Sequence, residues 1–352
     1  MSIPPDDARG IQRRLALGLA ATPLLTARTV RAQALPGGPS TPAAETAAPQ
    51  RFAAPAPSAA FGLPTRYARV HGAGMAYYEV GEGRPVLFLH GLPTWSYLWR
   101  NVLPVVAAGG HRAIAVDLLG FGRSDRPEGL DLGYAEQVRH LGGFVAALGL
   151  RDLALVLHDW GGAVGLDHAS RHADGVRGVA YLEAAIAPAW PRPSYASFGP
   201  VLEPLFRRFR DPVEGPRALM EENVWVERLL PASVLRPLGG AEMAAYREPF
   251  PDRASRRAIY ELTRSLPVGG EPAATVGAMG RAEAWWRETG VPKLAMYAEP
   301  SRLTPEPLVR WATANLRNVE AAYVGRGIHY VQEDEPEAIG RAVAEWLRRL
   351  PA

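Results

Sequence analysis

The stretch LHDWGG, residues 157–162, places a carboxylate where a tight turn can present it as a nucleophile. An apolar run, LALVL, precedes Asp159, and Gly161 and Gly162 follow close behind, a pattern typical of a strand that turns sharply into a helix. In such a turn the reactive side chain is exposed, and the backbone N–H of the next residue, here Trp160, helps to bind a developing oxyanion. The sequence therefore makes Asp159 a candidate nucleophile.

A carboxylate at this turn favours a different reaction from a serine. Serine attacks carbonyl carbons, whereas a carboxylate displaces a leaving group from a saturated carbon and remains attached to it as an ester. A water deprotonated by a histidine can then hydrolyse that ester. His329 lies late in the chain, in VGRGIHYVQED, where an order of nucleophile, acid and histidine predicts the base. Two leaving groups remain open: a halide, or the oxygen of an epoxide.

Other polar residues near these motifs have simpler interpretations. His90 and His158 fit packing or hydrogen-bonding positions at strand ends, and His168 and His172 lie on the helix behind the turn. Asp117 and Asp125 are interpreted as loop-forming residues rather than catalytic ones.

The elements that must position Asp159 and His329 alternate between short apolar runs and helical stretches from about residue 61. A hairpin is predicted in YARVHGAGMAYYEVGEG, and buried strands in PVLFLHG, RAIAVDLLG, LALVLHDW, VRGVAYLEA, KLAMYAEP and VEAAYVGRG. Helices are predicted at about 97–108, 134–148, 161–173, 305–315 and 337–349. This rhythm predicts a mostly parallel sheet covered on both faces. Together with the turn at Asp159 and the late His329, it indicates an α/β-hydrolase fold with an eight-stranded sheet.

One interval, residues 187–290, interrupts the alternation with helical periodicity, frequent prolines and no clear strand. A structureless loop of this length is implausible in a compact domain, so we expect an inserted helical cap over the carboxyl ends of the strands. The core would then comprise residues 61–186 and 291–352. We expect roughly a third of the cap aromatics to reach an apolar pocket; they are Trp190, Phe198, Phe206, Phe209, Trp225, Tyr246, Phe250, Trp285 and Trp286.

Composition excludes several classes of function. The chain has 352 residues, is 47% hydrophobic and contains no cysteine, which excludes disulfides, thiolate chemistry and cysteine-ligated metals. The net charge of +3 arises from residues 1–60, because the rest of the chain carries 33 basic and 33 acidic side chains. A neutral folded part gives no indication of a nucleic-acid surface.

The N-terminus is typical of an export signal. Arg13 and Arg14 precede an apolar run that is too short to span a bilayer, and Ala32-Gln33-Ala34 resembles a cleavage site. The paired arginines are similar to a twin-arginine signal, so residues 1–34 are expected to direct export to the periplasm; the alternative is a cytoplasmic extension. Residues 35–60, rich in proline and alanine, are expected to form a disordered linker. No later stretch is long enough for stable membrane insertion.

Seven motifs, spread over roughly residues 65–350, resemble the haloalkane dehalogenases, and most closely the subfamily whose catalytic acid is a glutamate after the sixth strand. PTWSYLWR and EMAAYREPF are the most family-specific parts of these motifs, whereas epoxide hydrolases share HDWGG. The motifs are HGLPTWSYLWRNVLP (90–104), DLLGFGRSDRP (117–127), HDWGGAVG (158–165), AYLEAAIAP (180–188), NVWVERLLP (223–231), EMAAYREPF (242–250) and IHYVQEDEPEAIG (328–340).

The resemblance implies a role for each matching residue. Asp159 would be the nucleophile, His329 the base and Glu183 the acid that orients the imidazole. Trp160 would donate its indole N–H to the leaving halide, and the backbone N–H groups of Trp160 and Leu92 would form the oxyanion hole. The substrate would be a small apolar halogenated compound, and no metal or cofactor is implied. Glu299, in YAEPS, is an alternative acid, because related hydrolases place one after that strand.

Leu92 departs from the pattern, since the subfamily has an asparagine there whose amide is the second halide donor. Leucine has no donor. A cap tryptophan, Trp225 or Trp190, is an alternative donor, because another subfamily uses one. Trp95 is a further possible pocket residue, although packing near the first loop explains it equally well.

Two other functions stay open. An epoxide hydrolase would use the same Asp159 and His329 with cap tyrosines as acids, and Tyr195, Tyr246 and Tyr260 are available. A non-catalytic binding protein of this fold is the second alternative, against which the intact acid–base set argues. The sequence leaves the natural substrate and the oligomeric state open.

Overall fold

The computed structural model describes residues 57–351 and contains one eight-stranded sheet in the order β1-β2-β4-β3-β5-β6-β7-β8. The β1–β2 and β2–β4 pairs are antiparallel, and all other pairs are parallel. This confirms the predicted mostly parallel sheet. The strands are β1 Arg66–Val70, β2 Ala73–Val80, β3 Pro85–Leu89, β4 Arg112–Val116, β5 Leu153–Asp159, β6 Val176–Ala184, β7 Lys293–Pro300 and β8 Val319–Gly327.

The central strands are apolar on both faces, because helices cover both faces of the sheet. In β3, Val86 and Phe88 belong to one apolar cluster while Leu87 and Leu89 belong to another. The α-helices of four or more residues are α1 Leu103–Ala108, α2 Tyr134–Ala147, α3 Trp160–Arg171, α4 Gly199–Arg210, α5 Gly240–Arg247, α6 Arg257–Arg264, α7 Ala273–Glu288, α8 Glu306–Asn315, α9 Val331–Asp334 and α10 Pro336–Arg349.

The helix predicted over 97–108 is divided in two. Ser96–Trp99 is a 3₁₀ turn, and α1 begins only at Leu103. Pro104 lies in the first turn of α1, where its missing N–H costs no hydrogen bond, so it favours a new helix start over a continuous helix.

Between β6 and β7 the chain is helical, apart from isolated bridges that join Val268 to Arg192 and Glu271. Besides α4–α7, this interval contains a short helix, Glu214–Pro216, the 3₁₀ turns Tyr195–Phe198 and Pro231–Ser233, and the π-helical turns Arg217–Glu221 and Trp225–Leu229. The division between cap and core at residues 187 and 290 stays a prediction. Within that interval, helix α7 packs on α3, and Trp286 contacts Tyr181 of β6, so the last helix of the interval lies against the core.

The N-terminal predictions fall mostly outside the described residues. This holds for the signal segment 1–34 and for residues 35–56 of the linker. The last linker residues, however, contact the core: Ser58 O accepts hydrogen bonds from Arg100 Nε at 2.7 Å and Asn101 Nδ2 at 2.9 Å, and Ala59 O accepts one from Tyr97 Oη at 2.7 Å. The folded part thus begins a few residues before the predicted boundary at 61.

Within residues 57–351, no helix is long and apolar enough to cross a membrane.

Candidate active site

Asp159 lies at the junction of β5 and α3 with φ 49° and ψ −125°, a strained conformation for a residue with a side chain. Two glycines permit the sharp turn. A Cβ on Gly91 would lie 2.1 Å from Asp159 Oδ1, and one on Gly161 would lie 2.5 Å from Leu89 O. The turn therefore brings the carboxylate against the backbone at the end of β3, where larger residues would clash.

The two carboxylate oxygens of Asp159 have different neighbours. Leu92 donates its backbone N–H to Oδ1 at 2.8 Å, and His329 Nε2 lies 3.5 Å from Oδ2. Burial alone would raise the pKa of Asp159, but hydrogen bonding and charge from His329, with help from the Trp160 backbone N–H, hold that pKa below its usual range. Asp159 is thus an anion with one oxygen on the backbone N–H of Leu92 and the other near the imidazole.

His329 follows β8 and is held from several sides. Its Nδ1–H donates to Glu183 Oε2 at 3.1 Å, and its backbone N–H donates to Ser233 O at 3.1 Å. His158 Nε2 donates to the His329 carbonyl at 2.9 Å. Burial lowers the pKa of His158 to about 3, so this histidine is neutral when it holds the backbone of His329 in place. Burial opposes the charged form of His329, but Asp159 and Glu183 outweigh it and raise the His329 pKa.

Glu183, at the end of β6, is fully buried yet remains an anion because of the loop that follows β7. Backbone N–H groups of Arg302, Leu303 and Thr304 donate to its oxygens at 2.8–3.1 Å, and the Ser301 hydroxyl donates as well. Burial would raise the Glu183 pKa, but His329 and these donors hold it below its usual value.

The alternative acid, Glu299, is exposed, and neither a hydrogen bond nor an ion pair joins it to His329. The geometry therefore brings Asp159, His329 and Glu183 together and leaves Glu299 outside the cluster.

A cavity of about 500 Å³ opens in front of Asp159, between the loops at the carboxyl ends of the strands and the helical interval that covers them. Four of the nine cap aromatics reach it, close to the predicted third. Its lining consists of Leu92, Asp159, Trp160, Trp190, Arg192, Ala196, Ser197, Phe198, Gly199, Pro200, Val201, Leu202, Phe206, Trp225, Leu266, Arg302, Leu303 and His329.

Trp95, a predicted pocket residue, does not line this cavity. Its ring is buried beside Tyr97, 5.6 Å between centroids, and its indole N–H donates to Ala245 O at 3.1 Å. Trp95 therefore packs the first loop against α5, as the simpler interpretation stated.

The two cap tryptophans line the cavity, but neither offers its N–H to it. The Trp225 indole donates to Thr263 Oγ1 at 3.0 Å, and Trp190 Nε1 is sealed among protein atoms without a partner. Trp160 is different, because it lines the cavity next to Asp159 and its Nε1 is neither sealed nor hydrogen-bonded within residues 57–351. Trp160 is thus the indole donor available to a ligand.

The three cap tyrosines that an epoxide hydrolase would need are elsewhere. Tyr246 donates to Glu333, while Tyr195 accepts from Arg210 at 3.1 Å and Tyr260 from Arg264 at 2.7 Å. None of the three lines the cavity.

Several functional contacts were not anticipated from the sequence. Ser301 and Thr304 bind Glu183, and Arg192 and Arg302 line the cavity. The hydrogen bond of His158 to His329, by contrast, fits the hydrogen-bonding position predicted for it. For Ser301 and Thr304, the available signal was that the polar segment SRLT directly follows a predicted strand. No group of three or more His, Asp or Glu side chains in the described part of the chain is arranged to hold a metal ion.

Comparison with known proteins agrees with this geometry. A family model for the alpha/beta hydrolase fold matches residues 84–258. A haloalkane dehalogenase of Bradyrhizobium diazoefficiens is 40% identical over 301 residues, which cover 82% of this chain and 95% of that protein. A haloalkane dehalogenase of Sphingobium indicum is 41% identical over 290 residues, or 81% of this chain and 95% of that protein. The crystal structure of a haloalkane dehalogenase from Bradyrhizobium elkani has a TM-score of 0.78 at 38% identity, covering 81% of this chain and 98% of that one.

Proposed function

The chain belongs to the haloalkane dehalogenase family of α/β-hydrolase-fold enzymes, and we propose that it hydrolyses haloalkanes through an alkyl ester on Asp159. The products are an alcohol, a halide ion and a proton. One observation carries this proposal: an ionised aspartate, rather than a serine, occupies the strained turn in front of a largely apolar cavity, 3.5 Å from His329.

In the first step Asp159 Oδ2 attacks the carbon that bears the halogen, and the carbon–halogen bond breaks as the ester forms. Oδ1 stays on the Leu92 N–H, which keeps the carboxylate oriented. The Trp160 indole N–H lies next to the nucleophile and donates to the departing halide. The negative charge that leaves the carboxylate is therefore stabilised on the halide by this hydrogen bond.

In the second step His329 takes a proton from a water, and the resulting hydroxide attacks the ester carbonyl carbon. Negative charge develops on Oδ1, where the backbone N–H groups of Leu92 and Trp160 stabilise it. His329 returns its proton to the oxygen that had attacked the substrate, and that oxygen leaves with the alcohol. Asp159 keeps the oxygen from water, and the second proton of that water is released as the carboxylate ionises again. Glu183 stabilises the imidazolium and fixes the tautomer of His329.

The charges of the cluster fit this order of events. In the free enzyme, two carboxylates raise the pKa of His329. Ester formation neutralises Asp159, so one of these carboxylates is lost and the pKa of His329 falls. The histidine thus becomes a free base in the step that needs one.

The experiment separates the two steps. His329→Ala retains Asp159 and Trp160, so it should be alkylated by 1-bromobutane without turnover, and intact-protein mass spectrometry should show one butyl group on Asp159. Glu183→Gln should abolish most turnover, whereas the matched change Glu299→Gln should not. An unmodified His329→Ala variant, alongside an active wild type, would count against the ester. Diol formation from epoxides without halide release from any bromoalkane would replace the proposal with an epoxide hydrolase.

We further propose that residues 1–34 export the enzyme to the periplasm. The support is the arginine pair, the short apolar run and the Ala-x-Ala site. Cell fractionation should find a protein that begins at Leu35 in the periplasm, and changing Arg13 and Arg14 to lysine should retain the precursor in the cytoplasm. Wild-type protein that keeps Met1 and stays cytoplasmic would contradict export.

A further inference from the structure

Two arginines line the cavity without an acidic partner. Arg302 donates through Nη1 to the neutral hydroxyl of Ser233 at 3.2 Å, the one hydrogen bond of its guanidinium within residues 57–351. Arg192 has no hydrogen bond to its guanidinium in the same range, and it contacts only aromatic rings, 5.3 Å from the Trp190 centroid and 5.6 Å from that of Phe198. Both guanidinium groups are partly buried, and burial lowers the pKa of each.

The two most completely buried cations in the described part of the chain, Arg100 and Lys293, have several acceptors each. Arg100 donates to Glu333 at 2.8 Å and to Glu242 at 3.1 Å, and Lys293 donates to three backbone carbonyl oxygens at 2.9 Å each. A cation removed from water without such partners is costly. Two cations in that state on the wall of one cavity indicate that their partner is a ligand of the cavity.

The charge of the cavity favours an anionic ligand. Asp159 is the one carboxylate in the lining, where it lies with three basic side chains, those of His329, Arg192 and Arg302. Arg302, on the core side, is close enough to Asp159 and Glu183 to respond to their charges, whereas no charged group shifts the pKa of Arg192 on the cap side. The two cations are therefore spread from the nucleophile towards the cap, which fits an elongated molecule better than a single halide ion.

We propose that Arg192 binds an anionic group at the end of the substrate remote from the halogen, with the charge of Arg302 attracting that group from the side of the nucleophile, so that the preferred substrates are ω-halogenated carboxylates. This inference rests on the proposed dehalogenase function. The halogenated end lies at Asp159 and Trp160, and the apolar wall of Phe198, Phe206 and Leu303 packs the methylene chain. The carboxylate then supplies the acceptor oxygens that the Arg192 guanidinium lacks, and a planar guanidinium suits it well.

The test compares two substrates of equal length, 6-bromohexanoate and the neutral 6-bromohexanamide, by the ratio of their kcat/KM values for bromide release. The wild type should prefer the carboxylate by about ten-fold or more, the factor expected for a hydrogen bond to a charged group. The preference should shrink at high ionic strength. Arg192→Leu and Arg302→Leu should each lower the ratio, and Arg192→Lys and Arg302→Lys should retain part of it. A general loss of activity affects both substrates equally and therefore does not change the ratio.

Arg207→Leu is the matched control, because Arg207 lies on α4 of the cap, pairs with Glu203 at 2.7 Å and does not line the cavity. It should leave the ratio unchanged. If a leucine variant does not fold, inhibition of wild-type 1-bromohexane hydrolysis gives the same answer: hexanoate should inhibit more strongly than hexanamide.

A wild-type ratio near one, with equal inhibition by hexanoate and hexanamide, would overturn the inference while leaving the dehalogenase function intact. Arginine variants that slow both substrates equally would also overturn it and assign the cations to the leaving halide. Absence of bromide release from 6-bromohexanamide, 1-bromohexane and 6-bromohexanoate alike would instead show that the proposed function itself is wrong.

Discussion

Leu92 is the residue at which this site departs most from the pattern of its family. Its backbone N–H serves Asp159, but its side chain offers no donor to a halide, and the N–H groups of Trp190 and Trp225 are unavailable. We therefore expect Leu92→Asn to raise kcat/KM by about ten-fold, since a hydrogen bond to a charged group contributes roughly 1.5–3 kcal/mol. The gain should be larger for 1-chlorobutane than for 1-bromobutane, because chloride is the poorer leaving group.

Halide release from both substrates measures the effect of Leu92→Asn, and Leu92→Ala is the control that changes the side chain without adding a donor. Equal rates for the wild type and the asparagine variant would mean that Trp160 alone, or Trp160 with a cavity arginine, already stabilises the halide.

The pKa of His329 sets the second residue-scale prediction. Protonated His329 cannot deprotonate water, so ester hydrolysis should slow by about ten-fold per pH unit below the His329 pKa of the ester state. Alkylation needs Asp159 as an anion, and the pKa of Asp159 lies below its usual value, so that step continues at lower pH. Rapid-quench mass spectrometry should therefore find more alkyl-enzyme at about pH 5 than at about pH 8. Turnover that falls in acid without accumulation of the ester would contradict this assignment of steps.

At the residue scale, a member of the candidate site was predictable where one segment of the sequence encodes its position. Asp159 follows from a strand-to-helix turn, and His329 from its place late in the chain. Glu183 depended on a family resemblance, because an acid after either of two strands satisfies the same order. Its hydrogen-bond partners Ser301 and Thr304 lie more than a hundred residues away and could not be assigned without the pairing of β6 with β7.

At the scale of elements, the most family-specific motifs, PTWSYLWR and EMAAYREPF, contact each other and the segment after β8, and none of their residues lines the cavity. Arg100 of PTWSYLWR is fully buried and donates to Glu333 of α9 and to Glu242 of α5. Tyr246, also on α5, donates to Glu333. These motifs therefore fix α5 and the loop after β8, which carries His329.

Removing Arg100 should destabilise the fold strongly. Arg100→Leu leaves Glu333 and Glu242 buried with fewer cations, and breaking a buried pair from one side costs about 3–5 kcal/mol. The free energy of unfolding in urea measures this loss. The control is Arg310→Leu, which removes an exposed pair with Glu306 on α8 and should change that free energy by less than about 1 kcal/mol. Similar losses in the two variants would show that the buried network contributes no more than a surface pair.

Element boundaries were less predictable than element types. The strands and most helices follow from apolar periodicity, but the break before α1 and the docking of α7 on α3 depend on packing. Pro104 was a local signal for the break before α1. For α7, a helix that covers the sheet and one that covers a cap have the same periodicity, so the sequence alone cannot separate them.

At the scale of the whole molecule, the distribution of charge along the chain changes close to the first residues that contact the core. The excess of basic residues lies in residues 1–60, while the rest of the chain is neutral overall. The contacts of Ser58 and Ala59 with Arg100, Asn101 and Tyr97 set the division slightly earlier, and Phe61 packs on Trp95 with ring centroids 5.8 Å apart. Residues 58–61 are therefore bound to the loop after β3, which also carries the buried Arg100.

Two truncations test this boundary. A protein that begins at Pro57 should keep the activity and the unfolding free energy of the processed enzyme, because every contact of Ser58 and Ala59 is retained. One that begins at Phe61 loses three hydrogen bonds, two of them to the loop that carries Arg100, and should be less stable by about 1–3 kcal/mol. Urea unfolding and bromide release from 1-bromobutane should show lower stability with kcat/KM nearly unchanged, since Asp159 and His329 are not touched. Equal stability of the two truncations would place the start of the folded part at residue 61, and a large loss of activity at Pro57 would show that the N-terminal segment contributes to the site.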